Sequence, residues 1–221
     1  MIPAQRHNQR FNVMSVAIPE LDLPPPSKKW LSGQLLLGFA ALWLTGVSCG
    51  IFGLVRYSLV GGPQATAAKN WPAELGLSRV RGRPTLVMFV HPRCVCSRAS
   101  LSELAVLAAD CPEALSSDVV FADPPGLVQR IEGNDLWQKA QEIPNCTLMR
   151  DRDGAMARNL GAQTSGQVFL YDADGALRFS GGITDSRGHA GSNTGRSAIE
   201  AILRNQQPIA HATPVFGCRL W

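Results

Sequence analysis

Apolar residues along the chain form one long uninterrupted stretch and then a series of short ones separated by polar punctuation. Residues 31–55 carry no charged side chain and are rich in Leu, Phe, Gly and Ala. About 25 residues of this kind are enough to cross a bilayer as a helix. Beyond Arg83 the pattern shortens. Residues 86–90, Leu-Val-Met-Phe-Val, have the length and β-branched content of a buried strand, and Pro92 ends it. Leu101, Leu104, Ala105 and Ala108 then recur at helical spacing. Residues 119–121 read as a second strand closed by Asp123-Pro124-Pro125-Gly126, and 127–141 as a helix broken at Gly133-Asn134. A third strand at 146–149 precedes a short helix at 155–160 that Gly161 stops. Residues 168–171 and 176–179 make a hairpin around Asp172-Ala173-Asp174-Gly175, and 194–203 is the last helix. The order β-α-β-α-β-α-β-β-α predicts an α/β domain, a central mixed sheet flanked by helices, behind one N-terminal transmembrane helix.

The flanks of the long stretch set its orientation. Residues 1–30 are polar and proline-rich, with Pro24-Pro25-Pro26 before Lys28-Lys29, and read as a disordered cytoplasmic tail. Arg6, Arg10, Lys28 and Lys29 precede the apolar run, whereas only Arg56 and Lys69 follow closely. The positive-inside rule puts the N-terminus in the cytoplasm and the C-terminal domain outside, in the periplasm if the source is bacterial. Trp30 and Tyr57 mark the ends as interfacial aromatics do. Ala65-Thr66-Ala67 resembles a signal-cleavage site, and Gly46-Val47-Ser48-Cys49 faintly a lipidation site. The length of the apolar run and of the segment before it favours an uncleaved anchor. Residues 56–83 read as a linker and lead-in to the domain, which occupies 84–221. With 45% hydrophobic residues and a formal charge of +4, the chain has no basic block interleaved with aromatics, and no nucleic-acid partner is expected.

Chemistry concentrates where the first strand of the domain hands over to its helix. Cys94 and Cys96 sit at that junction, where unpaired backbone N–H groups and the positive end of the helix dipole favour a thiolate. Arg93 and Arg98 add positive charge, and no acid appears before Glu103. The plainer reading is two cysteines plugging a packed corner.

Strand, loop, cysteine and helix here resemble the thioredoxin superfamily, whose active site is a C-x-x-C at this junction. More closely, H-P-R-C-V-C-S-R-A-S-L-S-E-L, T-S-G-Q-V-F-L-Y, G-G-I-T-D-S-R-G-H-A-G-S-N-T-G and the terminal P-V-F-G-C are similar to its RedB-like branch of membrane-anchored redox proteins, over about residues 84–221. The resemblance implies a thioredoxin-like fold and thiol–disulfide oxidoreductase activity, with Cys94 at the family's nucleophile. The family's resolving cysteine falls on Ser97, and this chain carries Cys96 one place early. The position of the family's cis-proline, facing the thiols, falls on Gly166. The resemblance also makes His189, in a Gly-rich loop, a candidate active-site residue.

Three readings follow. In the first, Cys94 attacks and Cys96 resolves, with a thiol or disulfide protein as partner and no cofactor. A Cys94–Cys96 bridge closes a very small ring and is strained, hence easily reduced. In the second, Cys94 and Cys96, with His91 three residues before, clamp copper(I). In the third the domain is a non-catalytic interaction module. Among the remaining cysteines, Cys111 and Cys146 read as structural and Cys49 as a membrane-helix residue. Cys218 lies in an irregular tail able to reach the corner and is a candidate redox or metal partner. The two D-x-D-G stretches, 151–154 and 172–175, lack the remaining ligands of a calcium loop and read as turns.

Overall fold

The computed structural model describes residues 29–73, 76–77, 79–80, 82–126 and 131–221. The chain falls into two compact units, Met1–Cys49 and Gly50–Trp221. Helix α1 (Lys29–Leu59, 31 residues) runs through the junction and is about 46 Å long at 1.5 Å per residue. Its stretch Ser32–Leu59 is long and apolar enough to cross a membrane, and none of it is buried against protein. Length and composition of this kind fit a membrane span and equally a signal sequence. The helix exceeds the expected 31–55 at both ends. Residues 1–28 of the expected polar tail lie outside the described residues.

The C-terminal unit is built on a five-stranded mixed sheet in the order β3-β2-β1-β4-β5. Its elements are β1 (Thr85–Val90), α2 (Ser97–Asp110), β2 (Ser116–Ala122), a 3-10 turn (Ile131–Gly133) leading into α3 (Asp135–Gln141), β3 (Cys146–Asp151), α4 (Ala155–Leu160), β4 (Gln167–Tyr171), β5 (Leu177–Gly182) and α5 (Thr194–Leu203). β1 pairs parallel to β2 and β2 to β3, while β4 and β5 are antiparallel additions on the other side of β1. All six residues of β1 are buried, as expected of a strand covered on both faces, so its run reads apolar without alternation. Leu86, Met88 and Val90 pack with Leu101, Leu104 and Leu107 of α2 and with Ala198 and Ile199 of α5. Val87 and Phe89 face the other layer, with Ala157 and Leu160 of α4.

β3 is an edge strand of the sheet, and Cys146 at its start is half-buried. The stretch 56–83 is tied to the sheet's margin where it is described. Gly62 N–H donates to Val215 O (2.7 Å), Thr164 Oγ1 to Pro63 O (2.6 Å), Tyr171 OH to Ala68 O (2.9 Å) and Leu177 N–H to Lys69 O (2.8 Å). The residues there are too polar and irregular to form a strand, yet their backbone groups are satisfied by the sheet's margin. Both D-x-D-G stretches are turns: Asp151 Oδ2 accepts from Ala157 N–H at 2.9 Å, and Asp172 Oδ1 from Ala176 N–H at 2.8 Å.

Asp118 on β2 is buried at 1% exposure, and neither carboxyl oxygen has a partner among the described residues. Burial pushes its carboxyl up from 3.8 to about 6. The folded state therefore binds the proton more tightly than the unfolded one, so stability falls as pH rises from about 4 to about 6 and is level above. At 1.36 kcal/mol per pH unit that loss is about 3 kcal/mol. Asp118→Asn is expected to flatten the dependence and to be the more stable protein at pH 7. Thermal unfolding across pH 4–8 checks this, and a wild-type profile that is already flat would overturn it.

Candidate active site

Backbone hydrogen bonds of the loop between β1 and α2 fix Cys94. Cys94 N–H donates to His91 O (3.0 Å) and Ser97 N–H to Cys94 O (3.0 Å), so 91–97 winds as a tight turn into the helix. α2 starts at Ser97 with Cys96 as its cap residue. Cys94 thus stands two residues before the cap, on the turn rather than in the helix. Asn134, the cap of α3, locks the loop from outside: its Nδ2 donates to Pro92 O at 2.8 Å while its Oδ1 accepts from Leu136 N–H.

Cys94 is fully buried and its sulfur gathers donors. Burial alone raises a thiol's pKa, but hydrogen bonding from Ser97 and Cys218 brings Cys94 below the ordinary value. The Cys218 N–H lies 3.4 Å away. The Ser97 hydroxyl is itself oriented. His91 N–H donates to Ser165 Oγ at 2.7 Å, and Ser165 Oγ lies 2.6 Å from Ser97 Oγ. The two hydroxyls and the His91 amide form a buried hydrogen-bonded cluster beside the Cys94 turn.

Cys96 and Cys218 are held the other way. Burial and the neighbouring Cys94 charge raise Cys96, whose thiol donates to Cys94, while Arg187 opposes by charge and hydrogen bonding. Burial pushes Cys218 up to about 12, and donation to Cys94 and the charges of both other thiols add to it. Of the three thiols, Cys94 is therefore the one that ionises most readily.

Arg187 is the cation of this site, and it was not singled out in the sequence. Its Nε donates to Tyr57 O (3.0 Å), Nη2 to Val60 O (3.3 Å) and Nη1 to Gly217 O, and its guanidinium lies 4.5 Å from the Tyr57 ring centroid. Arg93 and Arg98 do not supply the charge. Arg93 is exposed and acts on His91, and Arg98 is ion-paired with Asp135 at the surface. His91 is lowered by burial and then by Arg93, and its Nδ1 accepts the Arg93 N–H at 3.1 Å. Among the described residues no three His, Cys, Asp or Glu side chains converge as a metal-holding group. His189 is exposed, and among the described residues no contact joins its ring to the thiols.

Gly166 stands elsewhere than facing the thiols. It has φ +87°, donates its N–H to Phe89 O at 2.7 Å, and a Cβ there would come within 2.6 Å of Ser100 Oγ on α2. Its neighbour Ser165 is the residue that reaches the site. The T-S-G-Q motif contained that signal, but a glycine draws attention more readily than a serine. On the open side, a depression of about 270 Å³ lined by Pro92, Arg93, Val95, Arg98 and Asp135 borders Cys94. Val95, between the two cysteines, is 82% exposed.

No family model matches this chain, and no curated protein matches it either. Among solved structures, an uncharacterized conserved protein from Geobacillus kaustophilus superposes with a TM-score of 0.54 and 21% identity, over 74% of this chain and 93% of that one. A hypothetical protein from Sinorhizobium meliloti 1021 does so with a TM-score of 0.53 and 20% identity, over 74% and 94% of the two chains. A secreted disulfide oxidoreductase from Mycobacterium tuberculosis aligns at a TM-score of 0.40 and 17% identity, over 57% and 83%, a distance across which its chemistry does not transfer. With a parallel β1–β2–β3 half, an antiparallel β4–β5 half and the cysteines at the β1–α2 turn, the fold is thioredoxin-like.

Proposed function

We propose that this chain is a membrane-anchored thiol–disulfide oxidoreductase of the RedB-like branch, its C-terminal domain outside the cytoplasm, with Cys94 as attacking thiol and Cys96 as resolving thiol. The supporting observation is the Cys94 sulfur itself, buried at the β1–α2 turn with the Cys218 N–H 3.4 Å away and its pKa lowered despite burial. A thiolate of this kind attacks one sulfur of a partner protein's disulfide and releases the other as a thiolate. Cys96 then attacks Cys94 Sγ in the mixed disulfide, freeing the partner's second sulfur. Burial and the Cys94 charge both raise Cys96, and capping Cys94 removes the second of these while Arg187 still opposes the first.

The test is a thiol-exchange assay on a protein disulfide beside a copper(I) titration of the reduced chain. Exchange that disappears in Cys94→Ser supports the proposal. Tight copper binding without exchange would replace it by the metal reading, and inertness in both by the interaction domain.

Orientation has its own test. The basic residues cluster before the apolar run, so a reporter fused after Trp221 is expected to be active only outside the cytoplasm. A cytoplasmic readout would place the thiols in a reducing compartment and remove the setting the proposal needs.

A further inference from the structure

A third cysteine reaches this corner from the other end of the chain, its N–H 3.4 Å from the Cys94 sulfur. The tail carrying Cys218 is stitched down on both sides of it. Before it, Val215 O accepts from Gly62 N–H at 2.7 Å and Gly217 O from Arg187, with Val215 and Phe216 buried. After it, Thr164 pairs with Arg219 as an isolated bridge, and Leu220, buried, donates its N–H to Gln163 O at 3.0 Å. At Cys218 itself the carbonyl accepts from Ser165 N–H at 2.8 Å, which turns both the amide and the thiol onto the Cys94 sulfur. A packed structural cysteine needs neither contact.

Cys96 reaches Cys94 only through a ring that spans one intervening residue, whereas Cys218 stands 124 positions away with no local backbone to distort. We propose that Cys218 is an acceptor thiol, taking over on Cys94 the disulfide first made between Cys94 and Cys96. The Cys218 sulfur attacks Cys94 Sγ, the Cys94–Cys96 bond breaks, and Cys96 leaves as a thiolate that takes up the proton Cys218 gives away. One S–S bond forms and one breaks, so no external oxidant or reductant is consumed. Arg187, in hydrogen-bond reach of Cys96 and bonded to Gly217 O, is the cation that meets the leaving sulfur. The oxidised protein then rests as Cys94–Cys218 and reacts as Cys94–Cys96. The inference rests on Cys94 being the attacking thiol, as proposed above.

The experiment uses the full chain in detergent micelles, oxidised with glutathione disulfide, alkylated and mapped by peptide mass. Wild type, which needs no substitution to be informative, is expected to yield a Cys94–Cys218 peptide. Cys218→Ser is expected to yield Cys94–Cys96 instead and to shift its equilibrium with glutathione at least tenfold toward the dithiol, about 30 mV. Cys96→Ser alone is expected not to accumulate glutathione on Cys94, because Cys218 resolves it, whereas Cys96→Ser/Cys218→Ser does accumulate it. A wild-type map showing only Cys94–Cys96, or a Cys96→Ser protein that holds glutathione as long as the double variant does, overturns the acceptor role and leaves the oxidoreductase reading standing. A double variant that never takes glutathione on Cys94 overturns both.

Discussion

Cys94→Ser is expected to abolish thiol–disulfide exchange, a loss of about 10⁴-fold or more, since no other group in the chain replaces a covalent nucleophile. Its pH profile makes the claim specific. The thiolate is the reacting species, and hydrogen bonding from Ser97 and Cys218 holds the Cys94 pKa below that of an ordinary thiol despite burial. Alkylation of the wild-type chain should therefore rise with pH through a midpoint below the ordinary one and level off above it. Cys96 and Cys218 are both held above the ordinary value, so what remains in Cys94→Ser should titrate later and react more slowly at neutral pH. Fast neutral-pH alkylation that survives the substitution, or that maps to Cys96 in the wild type, would show that the charge sits on another sulfur. The same donors bear on redox direction. A depressed native pKa contributes stability to the reduced protein that is present above the ordinary thiol pKa and lost as pH falls through the lowered one. Stabilising the dithiol makes the disulfide easier to reduce, so the same donors raise the reduction potential of the couple.

Most of this fold was legible because its elements are short, local and apolar. The last helix falls on 194–203 as its spacing predicts, and the break at Gly133-Asn134 separates a 3-10 turn from α3. The thiolate corner was legible too, since a strand, a proline, two cysteines and an amphipathic stripe each announce themselves. The charge around it was not. Arg93 and Arg98 lie next to the cysteines in sequence, yet one points into solvent and the other is taken by Asp135. Arg187 comes from a Gly/Ser loop nearly a hundred positions later, and only the tertiary path of that loop brings it in. In the motif that carries both residues, His189 was the more noticeable side chain and Arg187 the relevant one.

Buried polar groups account for the other misses. Glu103 on α2 is 2% exposed, accepting from Gly191 N–H (2.6 Å), Asn193 Nδ2 (3.0 Å) and Arg196 Nη1 (2.5 Å). That cluster pins the loop from β5 to α5, on which Arg187 sits, against the helix that begins at the thiols. A carboxylate so surrounded is worth keeping buried only because every oxygen is paired. No periodicity argument reveals such pairing, because its partners are 88 to 93 residues away. Ser165 and Ser97 are hidden for the same reason: hydroxyls are common in loops, and only their 2.6 Å contact gives them a role.

Gly217→Ala is expected to dismantle the site without touching a sulfur. A Cβ at 217 would lie 1.9 Å from Ser165 O and 2.9 Å from Ser165 C, and backbone cannot step aside as a flexible side chain does. The tail must lift instead. Lifting it breaks the Ser165 N–H to Cys218 O bond and the Arg187 to Gly217 O bond, and it carries the Cys218 amide and thiol away from Cys94. Overpacking of this kind costs about 1–3 kcal/mol. Cys94 loses its hydrogen bonding from Cys218, so its pKa should move up and its neutral-pH alkylation slow. Gly133→Ala is the control, because nothing lies within 4 Å of a Cβ there and its backbone needs no glycine. It should match the wild type in both stability and reactivity. A Gly217→Ala protein with wild-type stability and an unmoved Cys94 midpoint would mean that the tail does not lower the Cys94 pKa, and the role given to Cys218 hydrogen bonding would fall with it.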